Sequence, residues 1–136
     1  MKICKQWIRS VVRWGPAFSL MALIYLASGT SSDRIPTLAR GDDLVKKGGH
    51  ALGYGLLALA YVRGFDGRVK GVRVLAFTLA GLFALSDEYH QKSTPGRTPS
   101  LRDVGYDLAG AALGLFLHAR CPAVRRLIRI FLDQRV

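Results

Sequence analysis

Four stretches of this chain are free of charged side chains, and the charges gather between them. The first, 14–32, runs for 19 residues, close to the roughly 20 that a helix needs to cross a bilayer. Three shorter ones, 48–62, 74–86 and 108–119, hold 15, 13 and 12 uncharged residues, lengths that would also suit buried helices of a soluble bundle. The placement of polar positions separates the two readings. A soluble amphipathic helix keeps a polar face at helical spacing, whereas residues 55–61 and 74–85 are apolar on all sides. Charged residues stand instead at the ends: Lys47 and Arg63, Arg73 with Asp87 and Glu88, Asp103 and Asp107 with Arg120. Long cationic side chains there can reach the interface while their stems stay apolar. The pattern therefore predicts an all-α integral membrane bundle of four transmembrane helices, with a soluble helical bundle as the alternative.

Beyond the fourth run, Val124, Leu127, Ile128, Phe131 and Leu132 recur at helical spacing, with Arg125, Arg126 and Arg129 off that stripe. This predicts a C-terminal amphipathic helix on the inner leaflet, or a partner-binding helix. The segments before the first run, between the second and third, and after the fourth carry 13 of the 20 lysines and arginines. The positive-inside rule then puts both termini in the cytoplasm. The N-terminal basic stretch, apolar run and Ala27-Ser28-Gly29 also resemble a cleavable signal peptide; an uncleaved first span is the preferred reading, because further spans follow.

The chain has 136 residues and a formal net charge of +11. A length of that order predicts one domain, 1–136. Because the basic residues are split among segments that a membrane keeps apart, they form no single stripe, and no nucleic-acid partner is expected. The two cysteines, Cys4 and Cys121, lie at opposite ends, so neither a disulfide framework nor a cysteine zinc site is indicated.

Polar residues near membrane depth converge on the predicted outer side. Lys47, His50 and Tyr54 are spaced i, i+3, i+7 at the start of the second helix, and Asp87, Glu88 and Gln91 close the third. Asp103 and Asp107 open the fourth, and Gly110 and Gly114 continue that stripe as a GxxxG that lets a neighbouring helix come close. Gly49 and Gly53 offer a second such pair beside His50, so His50 and Asp107 are expected to meet across a close helix contact. Pro95-Gly96 suits a type II turn before the fourth helix. Ser100 with Asp103 reads as an N-cap followed by an acid in the first turn, which gives Asp103 a purely structural role as an alternative. A carboxylate at the depth of Asp107 needs a partner or a function; His50, Lys47 and Arg97 are the candidates for pairing.

These residues carry a resemblance. Lys47-x-x-His50-x-x-x-Tyr54, Ser86-Asp87-Glu88-Tyr89-His90-Gln91, Pro95-Gly96-Arg97 and Asp103-x-x-x-Asp107-x-x-Gly110-x-x-x-Gly114 together resemble the VanZ family of small bacterial membrane proteins. The motif-bearing core spans 47–114. The resemblance implies a multi-pass protein of the inner (cytoplasmic) membrane and a link to glycopeptide resistance of the teicoplanin type; it also implies that Asp107 is replaced by Asn in many relatives.

Three chemistries suit the constellation. As a binding site, Lys47, His50, Tyr54, Gln91, Arg97 and Asp103 would face the extracytoplasmic side, where membrane lipid head groups and lipid-linked envelope precursors lie, or the same residues would form a neutralised knot that packs the helix ends. As a catalytic site, His50 would act as general acid or base tuned by Asp87 or Glu88, with Asp107 as a further candidate and Lys47 and Arg97 holding a phosphate or carboxylate. A divalent metal on His50 with Asp87, Glu88 or Asp107 is a third alternative, but the spacing matches no recognised ligand motif. The reading adopted is binding, with no cofactor and no metal; an oligomer is compatible with such short helices.

Overall fold

A computed structural model describes residues 2–29, 42–65, 69–94 and 100–126, with side chains from Trp7 in the first segment and Lys46 in the second. Every regular element among them is helical. Four long helices follow one another: α1 (Lys2–Ser28), α2 (Asp42–Phe65), α3 (Val72–Gln91) and α4 (Leu101–Arg120). A further turn of helix covers 122–126; the rest of the predicted C-terminal stripe, Leu127 onward, lies outside the described residues, as do the Pro95-Gly96 turn and Arg97.

The helices outrun the uncharged stretches that announced them. α2, α3 and α4 hold 24, 20 and 20 residues against the 15, 13 and 12 counted in sequence, because each continues through a charged turn at one or both ends. At about 1.5 Å per residue a 20-residue helix is about 30 Å long, the thickness of a bilayer's hydrocarbon core. Among the described residues, one segment, Trp7–Ser28, is both long and apolar enough to cross a membrane by length and composition.

Local signals account for the boundaries. α3 starts directly after Gly71, whose φ of 72° lies in the left-handed region, a conformation that glycine adopts without a Cβ clash. α4 starts at Ser100, whose hydroxyl accepts the Arg102 N–H at 3.2 Å, so the predicted N-cap is present and Asp103 sits in the first turn. At the other end, His118 and Arg120 occupy the last turn, where cations suit the helix dipole, and Pro122 follows the helix end at Cys121.

α2 packs on all three other helices, most extensively on α4. That contact is close because of small residues. A Cβ on Gly110 would fall on the Ala51 backbone, and one on Gly114 would come within 2.8 Å of the Gly55 carbonyl oxygen. The Gly110/Gly114 pair thus faces α2, but the facing stripe is Ala51 and Gly55. The expectation for Gly49 and Gly53 is corrected: a Cβ on Gly49 would meet nothing within 4 Å, and one on Gly53 would contact Ile24 of α1 at 3.6 Å. Alanine is small enough to serve in such a seam, and the helical phase that buries Tyr54, Leu57 and Ala58 turns Gly49 away.

The core is built from small side chains. Among the described residues, seven of the thirteen buried apolar ones are alanine, while Phe18, Leu23, Leu52, Val74, Leu82, Leu113 and Phe116 lie exposed. On α3, Ala76, Ala80 and Ala84 form one buried stripe. Water-soluble domains place most of their large apolar residues inside; here Ile24, Tyr54, Leu57, Tyr61 and Leu115 are buried, while many other large apolar residues form the outer wall.

At one end of the bundle, Pro16 lies inside α1. Lacking an N–H, proline cannot donate to the carbonyl four residues earlier, which is that of Val12. The Arg63 guanidinium donates to this oxygen at 2.8 Å and to the Arg13 carbonyl at 3.2 Å. Beside it, the Trp14 ring meets Phe65 edge-on at 5.0 Å between centroids and covers Gly64, where a Cβ would come within 2.8 Å of the indole.

Candidate functional site

The buried stripe of α3 continues past Ala84 into Asp87, Glu88 and Gln91, and that of α4 runs Val104, Asp107, Gly110, Ala111. Helical phase therefore directs these acids into the same interior that the alanines fill. Asp87 is 1% exposed, Asp107 3% and Glu88 7%. From α2, Tyr54 is wholly buried and its ring lies 6.0 Å from that of Phe83. Asp87, Glu88, Gln91, Val104 and Asp107 lie toward the end of the bundle opposite Arg63, and Tyr54, Gly110 and Ala111 lie nearer its middle.

Each acid has its own partner. Asp87 Oδ2 accepts from the Ser28 hydroxyl at 2.7 Å and from Gln91 Nε2 at 3.3 Å. Ser28, the last residue of α1, is itself fully buried, so this bond ties the end of α1 to the end of α3. Glu88 Oε2 accepts the Ser100 backbone N–H at 2.7 Å, joining the end of α3 to the start of α4. Asp107 Oδ1 faces His50 Nδ1 at 3.6 Å, an ion-pair contact when the imidazole is protonated, longer than a good hydrogen bond. Three polar atoms of this cluster, Asp87 Oδ1, Asp107 Oδ1 and the Tyr54 hydroxyl, are buried with no hydrogen-bond partner among the described residues.

The Tyr54 hydroxyl lies within electrostatic reach of Asp87, Asp107 and Glu88, and Asp103 within reach of both Glu88 and Asp107. The structure thus brings His50, Tyr54, Asp87, Glu88, Gln91, Asp103 and Asp107 to one end. Lys47 reaches the rim differently, with its ammonium 5.4 Å from the centre of the Tyr106 ring. Arg97 lies outside the described residues. Among those residues, no group of three or more histidine, cysteine or acidic side chains is placed to hold a metal ion.

Ser28 was not among the residues singled out for this site by spacing. Its signal, a hydroxyl closing an apolar run just before Gly29, is also that of a small residue at a helix end. Nor does the sequence hint at the stacked pair of Tyr25 and His90, with centroids 3.8 Å apart, which joins α1 and α3 at the same end.

Comparison with known families adds to this geometry. The VanZ/LLP1 family model matches residues 5–122. The chain belongs to the VanZ/LLP1 family. The match takes in α2, α3, α4, all but the first three residues of α1 and every described site residue above, and it extends well beyond the 47–114 core on which the resemblance rested. No curated protein and no solved structure gives a match. Membership in a membrane-associated family agrees with the apolar helix over Trp7–Ser28.

Proposed function

We propose that this VanZ-family chain is a multi-pass protein of the bacterial inner membrane, whose four long helices all span the bilayer and whose buried polar end binds an envelope lipid head group or lipid-linked precursor on the extracytoplasmic face. The observation that carries the proposal is the packing: an interior in which alanine is the commonest buried apolar residue, beneath an outer wall with many exposed leucine, phenylalanine and valine side chains. Between helices in lipid, close packing of small residues replaces the hydrophobic driving force that water would supply. Tyr25, Tyr89 and Tyr106 are exposed at the polar end, and Trp7 beyond the other, the levels at which aromatic side chains favour the interface.

The carboxylate cluster supports binding at that end. Acids at membrane depth are costly unless paired or in use, and Asp87 keeps one oxygen unfilled by the described residues. The positive-inside count orients this end outward, where head groups and wall precursors are exposed. The family's link to glycopeptide resistance is compatible with this reading, and a resistance role would act through that contact.

The experiment is native mass spectrometry of the full chain extracted from its own membranes in mild detergent, compared with Asp87→Asn and His50→Ala. The expected result is a co-purified lipid or lipid-linked precursor that the variants retain several-fold less well. A wild-type spectrum free of bound lipid at detergent levels that keep the chain folded refutes the binding reading.

A further inference from the structure

The polar end is unbalanced in its hydrogen-bonding chemistry. Asp87, Glu88 and Asp107 contribute buried carboxylates from two helices, and ionised carboxylates are acceptors only. Donors from the chain fill part of this capacity: Ser28 and Gln91 serve Asp87 Oδ2, and the Ser100 N–H serves Glu88 Oε2. Three sites are left in part or whole. Asp87 Oδ1 and the Tyr54 hydroxyl have no hydrogen-bond partner among the described residues, and Asp107 Oδ1 has only the 3.6 Å contact with His50. Tyr54 is wholly buried and lies within electrostatic reach of Asp87, Asp107 and Glu88. A buried tyrosine hydroxyl ordinarily finds a partner, and a buried carboxylate oxygen ordinarily does too.

We infer that the group received here is a primary ammonium, the head group of an ethanolamine-type aminophospholipid. The inference rests on the head-group reading above and specifies its chemistry. An ammonium carries one positive charge, opposite in sign to the carboxylates, and three N–H donors with no acceptor; these can serve Asp87 Oδ1, Asp107 Oδ1 and a lone pair of the Tyr54 oxygen, whose own O–H is left to donate to a carboxylate. Charge-assisted bonds of this kind are the strong ones. A phosphate has the opposite chemistry, since it offers acceptors to acceptors and negative charge to negative charge. A quaternary choline ammonium has the charge without the N–H groups, so it would leave the same three oxygens unfilled. The cluster sits in the last turn of α3 and the first two turns of α4, the depth at which the amine of a bilayer lipid is available in the orientation proposed.

The test uses the full chain, delipidated in mild detergent and titrated with phosphatidylethanolamine, phosphatidylcholine and phosphatidylglycerol of identical acyl chains, and with free ethanolamine. Retention is read by native mass spectrometry and stability by thermal unfolding. Phosphatidylethanolamine should be retained at least fivefold better than either other lipid and should alone raise the melting temperature. Asp87→Asn and Tyr54→Phe should each bring that preference below about twofold. Should either variant not fold, the wild-type ranking of the three lipids still decides. Equal retention of the ethanolamine and choline lipids, or preference for phosphatidylglycerol, overturns the ammonium assignment while leaving the head-group reading standing. An equal shift by free ethanolamine overturns the lipid as its source. Retention of no lipid at all defeats both.

Discussion

Arg63 should be worth more to this fold than an ordinary interfacial arginine, and the reason is a residue 47 positions away, Pro16. Proline in a helix interior leaves the carbonyl four residues back without its donor, and the Arg63 guanidinium supplies it to Val12 at 2.8 Å while also reaching Arg13 at 3.2 Å. A hydrogen bond to a charged group contributes about 1.5–3 kcal/mol net. Arg63→Met keeps the apolar stem, removes both bonds and leaves the Val12 oxygen unfilled, so the expected loss is about 2 kcal/mol, on the order of a 30-fold change in the folded-to-unfolded ratio. Arg63→Lys should recover only part of this, because a single ammonium does not span two carbonyls as a planar guanidinium does. The diagnostic step is Pro16→Ala, which restores the helical N–H opposite Val12. In that background Arg63→Met should cost about 1 kcal/mol less, a coupling readable by a double-mutant cycle on unfolding in detergent. Costs that add within about 0.3 kcal/mol would refute the claim that the arginine substitutes for the donor that proline lacks.

Two further outcomes follow from the packing and from the site. Gly110→Ala should force α2 and α4 apart, since its Cβ would fall on the Ala51 backbone, and lower stability by about 1–3 kcal/mol; Gly49→Ala, in open space on the same seam's flank, should be neutral or stabilising by up to about 1 kcal/mol. Thermal unfolding of the two side by side checks which glycine pair makes the seam. Asp107→Ala removes the partner of His50 and should destabilise by about 1–3 kcal/mol, whereas Asp107→Asn, which keeps the shape, should cost clearly less; equal losses in the two would show that the carboxylate's charge, rather than its place in the packing, is what the fold needs.

Much of the site was legible because helical phase is legible. The spacing of His50 with Tyr54, of Asp87 with Gln91, and of Asp103 with Asp107 and Gly110 put the polar groups on inward stripes, and the structure brings them to one end. Ser100 was readable as a cap for the same local reason. What escaped depended on which neighbour a face meets. Gly49 and Gly53 have the right composition for a close seam, but a helix packed on three others has several faces, and spacing within one helix does not say which of them meets α4. Ser28 and its bond to Asp87 join residues 59 apart, as Arg63 and Val12 join residues 51 apart; neither pairing leaves a mark in local sequence. Counting uncharged residues shortened the helices, because lysine, arginine and glutamate are themselves good helix formers and a charge does not end a helix.

The central claim, a membrane bundle with its carboxylate end outside, is tested most directly by cysteine accessibility. In a background with Cys4 and Cys121 replaced by serine, Ser93→Cys lies just past α3 at the polar end, and Lys70→Cys lies just before α3 at the other; both positions are exposed. A membrane-impermeant maleimide applied to intact spheroplasts should label Ser93→Cys and should reach Lys70→Cys only after lysis. Labelling of Lys70→Cys in intact cells with Ser93→Cys protected would place the site in the cytoplasm, and recovery of both variants in the soluble fraction would contradict the bundle's residence in the membrane altogether.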